Sequence, residues 1–155
     1  MTAVLITGMS GVGKSTALGA LARRGFGAVD TDDGDWIHIV DGEPLWREPL
    51  MFELLRRPRD RPLFVQGTVV NQGVFYSRFD AVVLLTAPPA VIFHRLATRT
   101  GNDFGKTAAE RASIARDIAE TEPLLRAAAT HEIDTTQAVH QVVDALVTIA
   151  TDARR

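Results

Sequence analysis

Gly8-Met-Ser-Gly-Val-Gly13-Lys14-Ser15 decides the reading of this 155-residue chain. It matches G-x-x-x-x-G-K-[ST], and its context makes the match informative: an apolar run, Ala3 to Thr7, precedes it, and a helical pattern from Lys14 to Arg24 follows. Glycines let a loop fold with its backbone N–H groups turned inward, and the following helix adds the positive end of its dipole, so the segment is built to hold phosphates. In such a loop Gly8, Ser10, Gly11, Val12 and Gly13 supply the cradle. Lys14 reaches the β- and γ-phosphates, Ser15 places its hydroxyl on Mg²⁺, and Thr16 lies near the α-phosphate.

Outward from the loop, short apolar runs alternate with longer helical patterns, which predicts an α/β fold with a mostly parallel sheet. Strands are expected at 3–7, 27–30, 63–66, 81–85 and 130–133, most of them continuous apolar runs suited to burial on both faces. Further helices are expected over 44–57, where Pro49 interrupts the pattern so that the helix starts late or bends, and from Pro88-Pro89 to about Arg99. Another opens on the capping box Thr107-Ala-Ala-Glu110 and carries Ile114, Ile118 and Leu125 on one stripe. Asp134 is expected to cap a last helix whose Val142, Val143, Leu146 and Ile149 repeat at core spacing. The whole is read as a single domain spanning 1–155, a three-layer α/β/α sandwich with strand order 2-3-1-4-5.

Composition narrows the chemistry. Hydrophobic residues make up 46% and charged residues 23%, values of an ordinary globular chain. A net charge of −2 gives no basic footprint for nucleic acid, and nothing approaches a membrane span, so the expected partner is a small molecule acting on a cytoplasmic monomer or homodimer. Without cysteine, thiolate nucleophiles and Cys-ligated zinc are excluded, and the four histidines have no ligand spacing. A GTPase's Asn/Thr-Lys-x-Asp run is absent, as is an apolar run ending in Asp-Glu; the nearest, Leu63-Phe-Val-Gln66, ends in glutamine.

Three further stretches carry a resemblance. Asp30-Thr31-Asp32 ends the second strand, Gly42-Glu43-Pro-Leu-Trp46-Arg47 follows, and Arg95-Leu-Ala-Thr-Arg99 runs into Thr100-Gly-Asn-Asp-Phe-Gly-Lys106. Together with the loop they resemble the nucleoside-monophosphate-kinase branch of P-loop proteins, and within it shikimate and gluconate kinases. The resemblance implies an enzyme that moves the γ-phosphoryl group of Mg-ATP to a hydroxyl of a small metabolite. It implies that Asp30 supports the metal with Ser15, that Asp32 holds the acceptor hydroxyl, and that Arg47 binds substrate from an acceptor region at about 31–60. Arg95 and Arg99 then belong to a short lid at about 100–107, Arg95 on the nucleotide and Arg99 on the transferring group; Lys106 is a further lid cation.

The shikimate kinases' triple-glycine loop is replaced by Gln66-Gly67-Thr68-Val-Val-Asn71-Gln72-Gly73, so the resemblance carries the reaction type and not the acceptor. Gln66, Gly67 and Asn71 are candidate acceptor contacts, and neutral amides suit hydroxyls. Asp33 is a second candidate for the base. Trp36 and Trp46 flank the expected acceptor pocket, and packing explains each as well as stacking does. Asp134-Thr135 resembles the loop that borders adenine in this branch. A nucleoside or nucleotide kinase and a nucleotide-binding regulator with little transfer remain the alternative readings.

Overall fold

The computed structural model describes residues 2–98 and 106–153. Five parallel strands form the main sheet: β1 (Ala3–Thr7), β2 (Gly27–Asp30), β5 (Leu63–Gln66), β6 (Ala81–Thr86) and β7 (His131–Asp134). They lie in the order β2-β5-β1-β6-β7, which is 2-3-1-4-5 when only these strands are numbered along the chain. β1 is central and buried throughout. Its alternating side chains serve two cores: Val4 and Ile6 pack in a cluster with Leu18 and Leu21 of α1 (Lys14–Arg23), while Ala3 and Leu5 join one containing Trp46 and Met51. Burial on both faces explains why these strands read as unbroken apolar runs.

Parallel neighbours require crossovers, and helices provide them. Helix α3 (Pro89–Thr98) follows β6, and α4 (Ala108–Ala128) opens on the expected capping box. There Thr107 Oγ1 accepts from the Glu110 N–H at 3.1 Å, and Glu110 Oε1 accepts from the Thr107 N–H at 3.3 Å. Helix α5 (Val139–Ala153) buries Val142, Val143 and Leu146. Asp134 does not cap it. The carboxylate instead closes a local turn on the Thr136 N–H and hydroxyl, both at 2.7 Å, and these bonds hold its pKa below the usual range.

The largest departure lies between β2 and β5. A hairpin forms there from β3 (Ile37–Val40) and β4 (Glu43–Trp46), and the helix expected over 44–57 takes the late start that Pro49 allows, with α2 running from Glu48 to Arg56. The cause is the Asp41-Gly42 turn. Both residues have positive φ, 51° and 79°, as a two-residue hairpin turn of right-handed twist requires. Pro44 therefore sits in a strand, and Pro49 falls in the first turn of α2, where its missing N–H is tolerated. Among the described residues no helix is long and apolar enough to cross a membrane.

Candidate functional site

The loop joining β1 to α1 has the geometry its glycines foretell. Gly8 sits at φ 151°, and a Cβ there would fall 2.6 Å from the Leu85 carbonyl oxygen. Gly13, at φ 104°, ends the loop, and no side chain caps the first turn of α1. Those first-turn N–H groups are thus left to a ligand, and an anion is the ligand they favour.

Lys14 is half-buried and lies across the loop it belongs to. Its ammonium donates to the carbonyls of Gly8 at 2.7 Å and Met9 at 3.1 Å. Burial lowers its pKa to about 8, while the charges of Asp32 and Asp30 pull it back upward. Lys14, Asp32 and Asp30 therefore form one electrostatic group at the carboxyl ends of the strands, where open parallel sheets bind ligands. Ser15 and Thr16 are exposed on the first turn of α1.

The loop is braced from outside its motif, by residues the motif does not predict. Thr68, just beyond β5, donates from its hydroxyl to the Gly8 carbonyl at 2.6 Å and accepts from the Gly8 N–H at 3.2 Å. On the other side Arg95 donates to the Val12 carbonyl at 3.1 Å, to Thr135 Oγ1 at 3.0 Å and to the Thr135 carbonyl at 2.7 Å. Arg95, Val12, Thr16, Thr135, Gln137 and Val139 line a cleft of about 170 Å³ beside the loop. Arg95 and Thr135, singled out from sequence, meet there. Arg99 and most of the expected lid lie outside the described residues; Lys106 is described and exposed.

Asp30 ends β2 opposite Gln66 at the end of β5. Asp30 Oδ1 accepts from the Asp32 N–H at 2.9 Å and from the Gln66 amide, which also donates to Asp32 Oδ2 at 3.1 Å. Between the two aspartates Thr31 turns inward, donating to the Gln66 carbonyl at 2.8 Å and accepting from the Trp46 indole at 2.9 Å. The turn thus presents both carboxylates while its middle residue anchors it. Asp33 is exposed and shares a cleft with Asp30, Ser15 and the half-buried Trp36.

Several expected acceptor contacts have other employment. Trp46 is fully buried, so it packs and does not stack on a substrate. Gly67 lies so close to Thr31 and Trp46 that a Cβ would overlap the Thr31 hydroxyl, which makes it a packing position. Asn71 clamps the hairpin: its Oδ1 accepts from the Trp46 N–H at 2.8 Å, and its Nδ2 donates to the Trp46 carbonyl at 3.0 Å and to Glu48 at 3.2 Å. Gln66 is fully buried and turned to the two carboxylates. Arg47 is exposed and lines a separate depression with His38, Leu45 and Glu48, apart from the Asp30–Asp32 pair.

Ser15 and Asp30 offer hard oxygen donors of the kind magnesium takes. Among the described residues no group of three or more His, Cys, Asp or Glu side chains could hold a metal by itself.

Comparison with known proteins supports this fold. An AAA domain family model matches residues 4–117. A curated relative from Dinoroseobacter shibae, described as a nucleotide-binding protein, is 34% identical over 137 residues, which is 86% of this chain and 45% of that protein. The chain thus spans about half the length of the curated relative it matches. Among solved structures, a shikimate kinase from Acinetobacter baumannii superposes with a TM-score of 0.67 at 16% identity, covering 98% of this chain and 94% of that one. A gluconokinase from Sinorhizobium meliloti superposes at 0.60 with 18% identity, covering 97% and 92%. The fold is therefore a P-loop small-kinase fold, resembling that of shikimate and gluconate kinases.

Proposed function

Because this chain belongs to the AAA domain family of P-loop proteins, we propose that it is an ATP-dependent phosphotransferase acting on a hydroxyl of a small metabolite. The observation that carries the reading is the convergence of Lys14, Asp30 and Asp32 at the strand ends beside the phosphate loop.

In this reading the N–H groups at the start of α1 and the Lys14 ammonium hold the β- and γ-phosphates, and Lys14 leaves its Gly8 and Met9 carbonyls to do so. Ser15 and Asp30 would hold a magnesium ion, which would supply charge neutralisation across the phosphates. Asp32 orients the acceptor hydroxyl. As the bond between the γ-phosphorus and the bridging oxygen breaks, a bond to the acceptor oxygen forms, ADP leaves, and the hydroxyl proton passes to Asp32 and then to solvent. Little covalent chemistry is asked of the protein, so placement and charge carry the catalysis. Arg95 holds the loop and one wall of the base cleft; Arg99 is the lid residue assigned to the transferring group.

Incubating the protein with Mg-ATP and a metabolite extract, then searching by mass spectrometry for new phosphorylated species, tests the reading. A product that vanishes in Asp32→Asn, with ATP binding retained, is the expected result. Failure to phosphorylate any component of a broad panel would sink the transferase reading. It would favour the second one, a nucleotide-binding regulator, which the description of the Dinoroseobacter shibae relative also suits.

A further inference from the structure

Gln66 was read from sequence as an acceptor contact, and its geometry is that of a different part. The side chain is fully buried at the end of β5, yet its amide nitrogen donates to Asp30 Oδ1 and, at 3.1 Å, to Asp32 Oδ2. Ionised carboxylates only accept, so the amide must turn its N–H groups toward them. The reverse orientation would set Oε1 against two acceptors. The cost of the observed orientation shows: Gln66 Oε1 is buried and has no hydrogen-bond partner. A buried carbonyl left unpaired is unfavourable, so holding the two carboxylates outweighs pairing the oxygen.

We propose that Gln66 is a positioning residue that fixes the metal-side carboxylate of Asp30 and the acceptor-side carboxylate of Asp32 in one geometry. The inference rests on the roles given to those aspartates above. Two like charges two positions apart would otherwise spread, and an amide joins them without adding a charge of its own. A lysine there would compete with the cation. A third carboxylate would add to the repulsion. The register supports the part: Gln66 pairs directly with Asp30 across β2 and β5, and its carbonyl accepts the Thr31 N–H and hydroxyl, so one residue holds the aspartate turn by backbone and side chain together.

The test reads binding as well as turnover. ATP affinity is measured by calorimetry in EDTA and in Mg²⁺ for the wild type, for Gln66→Met, which keeps the volume, and for Gln66→Asn, which keeps the amide but is one methylene too short to span both carboxylates. Each variant should keep the EDTA affinity within about twofold and lose about tenfold of the gain that Mg²⁺ brings, the usual scale for a partner that orients a metal ligand. In an Asp30→Asn background Gln66→Met should cost no more, because Gln66 acts through that carboxylate. Where transfer is measurable in Mg²⁺, kcat should fall as well.

An undiminished Mg²⁺ gain in either folded variant overturns the proposal. So does a parallel loss of EDTA and Mg²⁺ affinity, failure of both variants to fold, or a wild-type affinity that Mg²⁺ does not raise. Absence of transfer by the wild type to every acceptor would overturn the transferase reading alone, since the calorimetric comparison stands without turnover.

Discussion

The two sides of the site are built on different principles. The phosphate side is a backbone device: Gly8 and Gly13 set its path, the first turn of α1 supplies its donors, and Thr68 and Arg95 brace it through carbonyl and N–H groups. The side we assign to the acceptor is a side-chain assembly drawn from β2, the hairpin and β5, centred on Thr31, Trp46, Gln66 and Asn71. A backbone device tolerates almost no change at its strained positions and is indifferent to many others. A side-chain assembly is the reverse, adjustable in pieces, which is how one donor fold can serve many acceptors.

Breaking the phosphate side should give the largest effect. In Gly8→Ala the new Cβ meets the Leu85 carbonyl at 2.6 Å, and φ 151° is a region that side-chain-bearing residues avoid. Strain and overlap together should cost about 3 kcal/mol of unfolding free energy, and displacing the loop should weaken ATP binding about 100-fold. Denaturant titration and calorimetry would read both; a variant with wild-type affinity would show that the backbone path is not what binds.

Thr31→Val breaks the acceptor side while keeping its shape. The buried Trp46 indole loses its acceptor and the Gln66 carbonyl loses a donor, which should cost about 2 kcal/mol in urea unfolding. ATP affinity in EDTA should stay within about twofold while the KM for the acceptor rises. An equal loss on both substrates would mean that the two sides are one mechanical unit, contrary to the contrast drawn above.

That contrast also explains what could be read from the chain. Gly8 to Ser15 was legible because a phosphate cradle demands particular residues at particular spacings, and the strands were legible because parallel strands buried on both faces must be apolar. Thr68 and Thr31 were not, since a threonine that braces a distant carbonyl has the same local sequence as one in any loop. Trp46 could not be assigned between packing and stacking until β4 was known. The hairpin is a different case, because its signal was present: Asp41-Gly42 between Ile37-His-Ile-Val40 and Glu43-Pro-Leu-Trp46 is a strong short-range turn signature. Reading Gly42 to Arg47 as a substrate motif hid it. Asn71, expected to face a substrate, lines the Arg47 depression and also holds that hairpin's backbone, a role visible only once the loop after β5 lies beside β4.

The pH dependence of nucleotide binding sharpens the phosphate side further. Lys14 has a pKa of about 8 in the free protein because it is buried more effectively than it is paired. Phosphates favour the ammonium, so binding raises this pKa, and a proton is taken up whenever ATP binds above it. Affinity should be full well below pH 8 and fall as pH rises through it, by up to about tenfold between pH 7 and pH 9. The same depression acts on folding with the opposite sense: the unfolded chain holds the lysine proton more tightly between about 8 and 10.5, so stability gains as pH rises through that window. Calorimetry in buffers of different ionisation enthalpy would count the proton, and an affinity flat from pH 7 to 9 would contradict the desolvated lysine.

The smallest effect isolates the hairpin. Gly42 has φ 79° but nothing within 4 Å of where a Cβ would stand, so Gly42→Ala meets backbone strain and no clash. The left-handed conformation costs an alanine about 1 kcal/mol, and Asp41, already at φ 51°, leaves the turn no easy way to relax. Because Trp46 of β4 carries the indole that holds Thr31, strain at the turn can reach the aspartates through that contact. Urea unfolding should therefore show the loss of about 1 kcal/mol, while ATP affinity in EDTA is unchanged and the Mg²⁺-dependent gain falls by less than in Gln66→Met. If the gain falls as far as it does for Gln66→Met, the hairpin and not the Gln66 amide sets the spacing of Asp30 and Asp32.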